Sequence, residues 1–169
     1  SGDLIVQEAN SVGEITGSRI PATIEADLVS LGAAFAIPEI HSVAGSSAEN
    51  AVLVRGIDLD RYRSITRFDM VSGRPLQPGD LADQVMIGAD LAERRATTVG
   101  GTLTLRGRSF SVVGVFAVGT YADNEVWLSL AGARDLLGWG DEVSMFVVPG
   151  DGPLAEGDVL PGPPSIARP

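Results

Sequence analysis

Apolar positions along the chain recur in two rhythms. Leu4-Ile5-Val6, Ile37 to Ala44, Ala51 to Arg55, Gln84 to Ile87, Asn124 to Leu128 and Val143 to Val148 are short runs rich in apolar and β-branched residues. Such runs suit a pleated, buried surface and predict strands. Thr102 to Leu105 and Phe110 to Val118 are two more, and Arg106-Gly107-Arg108 between them predicts a hairpin. Gly45-Ser46-Ser47 separates two of the earlier runs in the same way. Phe68-Asp69-Met70-Val71 alternates more weakly and breaks at Gly73-Arg74-Pro75; Pro78-Gly79-Asp80 marks a turn.

The second rhythm is helical. Ile24, Leu28 and Leu31 lie at helix spacing with Glu25 and Asp27 between them. Pro21 is expected to open this helix, since a first helical turn tolerates the missing N–H, and Gly32 to end it. Ala89 to Ala96 and Ser129 to Leu137 are further helices, with Ser129 placed as an N-cap. Asp58 to Arg63 reads as one helical turn or a loop with Asp58 as its cap, and Asn10 to Ser18, with Gly13 and Gly17, as a loop. Seven or eight strands and about three helices that do not alternate regularly predict an α+β fold with mixed or antiparallel sheets. After Val148 the rhythm stops. Six of the 10 prolines fall between Pro149 and Pro169, so 149–169 is expected to be a Pro/Gly-rich linker and 1–148 the folded domain.

Composition narrows the function. A chain of 169 residues with 44% hydrophobic content buries a core without staples. Its 12 basic residues are all Arg and its 22 acidic residues leave a net charge of −10, which repels phosphate backbones and sets nucleic acid and anionic lipid aside. With no Cys, disulfides, thiolate metal sites and Cys nucleophiles are excluded. The start Ser1-Gly2 reads as residues left by a cleaved tag on a segment of a longer chain. The longest apolar stretches, Ala33 to Ile37 and Val112 to Val118, fall far short of the roughly 20 residues of a membrane helix, so any such helix is expected outside this segment.

Candidate chemistry is sparse. His41 is the single histidine, with Ser42, Ser46 and Ser47 near it, but a triad needs a base beside its nucleophile and no Gly-x-Ser-x-Gly elbow occurs. Asp58-x-Asp60 and Asp123-x-Glu125 place carboxylates on one face of an extended segment, a geometry open to a hard cation; capping and turn formation are the ordinary alternative. Gly100-Gly101 lacks the preceding strand and following helix of a phosphate-binding loop and reads as a turn. Tyr121, Trp127 and Trp139 offer stacking surfaces for a ligand, or packing in a core or subdomain interface. No catalytic, cofactor-binding or metal-ligating residue is assigned on this basis, and no substrate-binding residue is identified.

The stretch Met86 to Phe116, MIGADLAERRATTVGGTLTLRGRSFSVVGVF, resembles the hallmark segment of MacB-like periplasmic core domains, found in FtsX-type ABC transporter permeases. That segment has a strand ending in Gly, an Ala-containing helix, Val-Gly, then a hairpin ending in Val-Val-Gly. Here these are Gly88, Leu91-Ala92, Val99-Gly100 and Val112-Val113-Gly114. Gly88 is expected to let the chain turn from strand to helix, Gly100 to adopt positive φ, and Gly107 to form the hairpin tip. Val54 to Asp58, Ser72 to Leu76 and Glu125 to Leu137 resemble the flanking family elements. Two positions depart: Ala96-Thr97-Thr98 stands where the family has Leu-Gly, and Gly101 where it has Asp. The family also continues with a helix and strand where Gly150 to Pro169 shows neither pattern.

The resemblance implies two small subdomains, a porter-like half and a β-rich insert over about 66–122. It implies a non-enzymatic extracytoplasmic domain, on the periplasmic or extracellular side of the cell membrane, in a membrane-embedded permease that pairs with a second copy and a cytoplasmic ATPase. The domain would relay ATP-driven motion to a lipoprotein, peptide or drug substrate, or to a partner. A soluble extracytoplasmic ligand-binding or adhesion module is the alternative, and a carboxylate-dependent hydrolase built on Asp58 or Asp123 a third reading.

Overall fold

The computed structural model describes residues 2–9, 15–45, 47 and 50–158, and the backbone of 164–167. In chain order these form β1 (Leu4–Glu8), β2 (Ile20–Pro21), α1 (Ile24–Ser30), β3 (Ile37–Ala44), β4 (Val52–Ile57), α2 (Leu59–Tyr62), β5 (Asp69–Gly73), β6 (Gln84–Gly88), α3 (Ala89–Arg95), β7 (Thr102–Leu105), β8 (Arg108–Ala117), β9 (Val126–Ser129), α4 (Leu130–Leu137), β10 (Glu142–Val143), β11 (Met145–Val148) and β12 (Pro164–Ala167). The fold is α+β, as expected. It divides into two compact units, one of residues 1–41 with 139–169 and one of 42–138. The second contains the 66–122 segment together with β4, α2, β9 and α4. Of the expected loop Asn10 to Ser18, residues 10–14 lie outside the described residues and Ile15–Gly17 forms a 3-10 turn.

In the first unit β1 pairs antiparallel with both β11 and β12, and β11 pairs antiparallel with β3. Leu4 opposes Val148 and Val6 opposes Phe146, and all four are fully buried. Such cross-strand apolar pairs are what hold a sheet of short strands together. Helix α1 contributes Ile24 and Leu28 to the buried side, while Leu31 is exposed. Pro21 does not open this helix. It lies in β2, opposite Glu142, and Thr23 is the N-cap. Gly32 ends the helix at φ +99°, with Gly32 N–H reaching Val29 and Ala33 N–H reaching Leu28, the paired bonds of a Schellman ending.

The expected single strand Val143 to Val148 is two, because the buried Ser144 changes hydrogen-bond partners between them. Its N–H donates to the Glu39 carbonyl, its carbonyl accepts from Ser18 Oγ, and its hydroxyl accepts the His41 N–H at 2.9 Å. The second departure is β12. Four residues of the expected linker pair with β1, and Pro164 is accommodated as the first residue of a strand with one neighbour.

In the second unit the strand order is β4-β9-β6-β8-β5, with β7 paired to the start of β8. β4 runs parallel to β9 and β6 parallel to β8; the other pairs are antiparallel. The β7–β8 hairpin turns on two residues, Arg106 at φ +49° and Gly107 at φ +75°, the primed geometry that matches strand twist. The Val-Val-Gly motif is a bulge. Register on β6 shifts between Val85 and Met86, the Val113 carbonyl accepts the Arg74 N–H, and a Cβ at Gly114 would lie 2.2 Å from the Arg74 carbonyl oxygen. Gly88 likewise serves close approach rather than an unusual turn. Its φ is −69°, but a Cβ there would meet the Asp123 carbonyl oxygen at 2.2 Å.

Candidate functional site

The charged centre of the second unit is an ion pair that no short motif announces. Arg55 on β4 and Glu125, just before β9, meet through two bonds, Nε to Oε1 at 2.7 Å and Nη2 to Oε2 at 2.9 Å. Their side chains are 11% and 2% exposed. The parallel register sets Arg55 opposite Trp127, and Glu125 lies two residues before Trp127, on the same face. Trp127 Nε1 donates to Glu125 Oε1 at 3.1 Å, and Arg55 Nη1 donates to the Tyr62 hydroxyl at 2.9 Å. Around this network Phe116 stacks on Trp127 at a centroid distance of 3.7 Å, while Tyr62 and Phe68 meet its edges at 5.3 Å. Fork-to-fork pairing with every polar atom bonded is the arrangement that makes a buried charge tolerable. It organises a core and leaves no open reactive group.

A cleft of about 420 Å³ opens beside it. Strands β4 and β9 are adjacent and parallel, and each runs directly into a helix: Ile57-Asp58 into α2, Ser129 into α4. Crevices at the carboxyl ends of neighbouring parallel strands are common binding places because the chains diverge there. Ile57, Leu59, Leu76, Pro78, Leu130 and Ala131 supply its apolar lining. Asp58 and Ser129 line it too, and both are N-caps, accepting the N–H of Arg61 at 3.4 Å and of Gly132 at 3.0 Å.

The candidates from the sequence are dispersed. His41 Nε2 lies 2.9 Å from Oε1 of the buried Glu39, a pair set by the two-residue repeat of β3. Ser42 is half-buried and Ser47 exposed, neither bonded to the imidazole among the described residues, and Ser46 lies outside the described residues. Asp58 caps α2 and Asp60 is exposed, and both line the cleft. Asp123 accepts N–H bonds from Val118 at 2.6 Å and Gly119 at 3.0 Å, which closes the turn after β8, while Glu125 pairs with Arg55. Among the described residues no three His, Asp or Glu side chains converge on a metal position. Gly100-Gly101 is a turn, with Gly100 at φ +86° and its N–H on the Val112 carbonyl. Trp127 is core and Tyr121 is 71% exposed. Trp139, in the first unit, is half-buried under the Arg19 guanidinium at 4.9 Å, with Arg19 also forked onto Glu142. Arg74 and Asp80 form a further ion pair, in which the Arg74 hydrogen bonds hold the Asp80 carboxyl below its usual range.

The signals for the ion pair and for the cleft, which the sequence reading did not assemble, were present but ambiguous. Arg55 ends an otherwise apolar run, and Asp58 and Ser129 each sit where a strand gives way to a helix.

A family model for the MacB-like periplasmic core domain matches residues 1–156. Among solved structures, the periplasmic region of MacB from Actinobacillus actinomycetemcomitans superposes with a TM-score of 0.66 at 15% identity, over 88% of this chain and 74% of that one. The extracellular domain of the noncanonic ABC-type transporter YknZ from Gram-positive bacteria superposes with a TM-score of 0.62 at 19% identity, over 89% of this chain and 84% of that one. No curated protein matches the sequence.

Proposed function

The chain belongs to the family of MacB-like periplasmic core domains, and from that premise we propose that it is the extracytoplasmic domain of an ABC transporter permease. In this reading it relays motion driven by a cytoplasmic ATPase to a substrate or partner outside the membrane. The observation that carries the reading is the family match over residues 1–156, nearly the whole chain. The two structural likenesses add the fold.

The internal chemistry is consistent with a mechanical part. Arg55, Glu125, Asp123 and Asp58 are each bonded to structural partners, so the polar groups brace the fold. A two-residue hairpin and the bonding of every buried side-chain N and O atom among the described residues favour a second unit that resists local deformation. A domain that transmits force must move as a body, and these features serve that end. Among the described residues no helix is long and apolar enough to cross a membrane. In this reading the membrane spans lie in other parts of a longer parent chain, and an ATPase and a second permease copy complete the machine.

The test is fractionation of the full-length parent chain. The expected result is retention in the membrane fraction after alkaline carbonate washing and co-purification with an ATPase in mild detergent. Release of the full-length chain as a secreted soluble protein, without an ATPase, overturns the reading and favours a free ligand-binding module.

A further inference from the structure

We propose that the cleft at the carboxyl ends of β4 and β9 is a docking groove for an extended peptide segment of a partner protein, one that sets an aliphatic side chain beside an Arg or Lys. The inference rests on the reading of the domain as an extracytoplasmic module that meets partners, and adds where and by what chemistry one is held.

Volume and lining come first. About 420 Å³ walled by Ile57, Leu59, Leu76, Pro78 and Leu130 takes one or two aliphatic side chains out of water. Charge selects the neighbour of that side chain. Asp58 and Asp60 both stand at the cleft. Asp60 is exposed and has no side-chain partner among the described residues, and Asp58 gives one oxygen to a long cap bond of 3.4 Å. Arg61 also lines the cleft, but it is engaged within the protein. The chain carries a net charge of −10, so the wider field adds to the local preference for a cation. Continuity favours a chain segment over a compact molecule. Leu81, three residues beyond Pro78 on the same loop, is 68% exposed, so the loop that helps line the cleft also offers apolar surface outside it.

The experiment is an amide chemical-shift titration of the isotopically labelled domain at low ionic strength. The probes are acetyl-Ala-Leu-Arg-Leu-Ala-amide and the same peptide with Glu in place of Arg. Shifts are expected at Ile57 to Arg61, Leu76, Gln77 and Ser129 to Ala131, with the Glu peptide about tenfold weaker because its carboxylate faces Asp60. Asp60→Arg, at an exposed position, is expected to invert that preference, and Ala131→Trp, which fills the cleft from its exposed rim, to abolish both responses. No shifts, shifts elsewhere, equal binding of the two peptides, or indifference to Ala131→Trp overturns the proposal. So does tighter binding at the cleft by dodecyltrimethylammonium below its micelle concentration, which would make this a small-amphiphile site. A silent groove leaves the membrane association and ATPase partnership untouched, because those are read by fractionation.

Discussion

Removing one partner of the Arg55–Glu125 pair costs more than removing both. Glu125 and Arg55 are both buried, so neither charge is rescued by water when the other is taken away. Arg55→Met leaves a buried carboxylate that keeps the Trp127 indole N–H as a donor but no countercharge. Glu125→Leu leaves a buried guanidinium that keeps its bond to the Tyr62 hydroxyl but loses its countercharge. Each single change is expected to cost about 3–5 kcal/mol, the usual penalty for stranding a buried charge. The double variant Arg55→Met/Glu125→Leu replaces the pair with apolar volume against Trp127, Phe116 and Tyr62, and is expected to lose less than either single variant. Urea unfolding followed by tryptophan fluorescence reads this, since Trp127 is fully buried in the affected cluster. Against a total stability of about 5–15 kcal/mol, a single variant shifts the midpoint visibly. Singles that cost under about 1 kcal/mol, or a double variant equal to their sum, would refute the claim that the pair is desolvated and mutually dependent.

Other consequences follow from the same geometry. Gly88→Ala is expected to destabilise by about 1–3 kcal/mol through its clash with the Asp123 carbonyl, and more than Gly107→Ala, where φ is +75° but nothing lies within 4 Å; equal melting temperatures for the two would contradict the close approach. Ser129→Ala is expected to cost about 1 kcal/mol by removing the cap on Gly132 N–H, measured by the urea midpoint. Asp80 is held below the ordinary carboxylate value of about 3.9 by Arg74, so its contribution is complete above that value and lost as pH falls through the depressed one. The stability difference between wild type and Asp80→Asn should accordingly persist at about pH 4 and vanish only in stronger acid, and should shrink with added salt.

Much of this fold was legible because its elements are locally specified. β3, α4 with its Ser129 cap, α2 with its Asp58 cap, and the β7–β8 hairpin each carry their own run, cap or turn residue. The glycine-punctuated segment from Gly88 to Gly114 was legible as a unit, although two of its glycines answer to carbonyls brought close in space, those of Asp123 and Arg74. What was not legible depends on partners far along the chain. β12 exists because β1 offers a free edge, and nothing in Pro164 to Ala167 alone distinguishes it from a linker. Pro21 lies in a strand because Glu142 pairs with it. The Arg55–Glu125 pair and the adjoining cleft both require β4 to lie parallel beside β9, a pairing across about 70 residues that no local signal encodes.

The relay of motion is tested most directly by distance measurement in the full-length permease with its ATPase. These 169 residues hold no cysteine, so Tyr121→Cys, at a position 71% exposed, places one spin label in each copy of the domain once any cysteine elsewhere in the parent chain is replaced by serine. The account predicts that the label-to-label distance between the two permease copies shifts when ATP is trapped relative to the nucleotide-free state, as expected of rigid bodies moving about the membrane. Superimposable distance distributions in the two states, with hydrolysis intact, would contradict it.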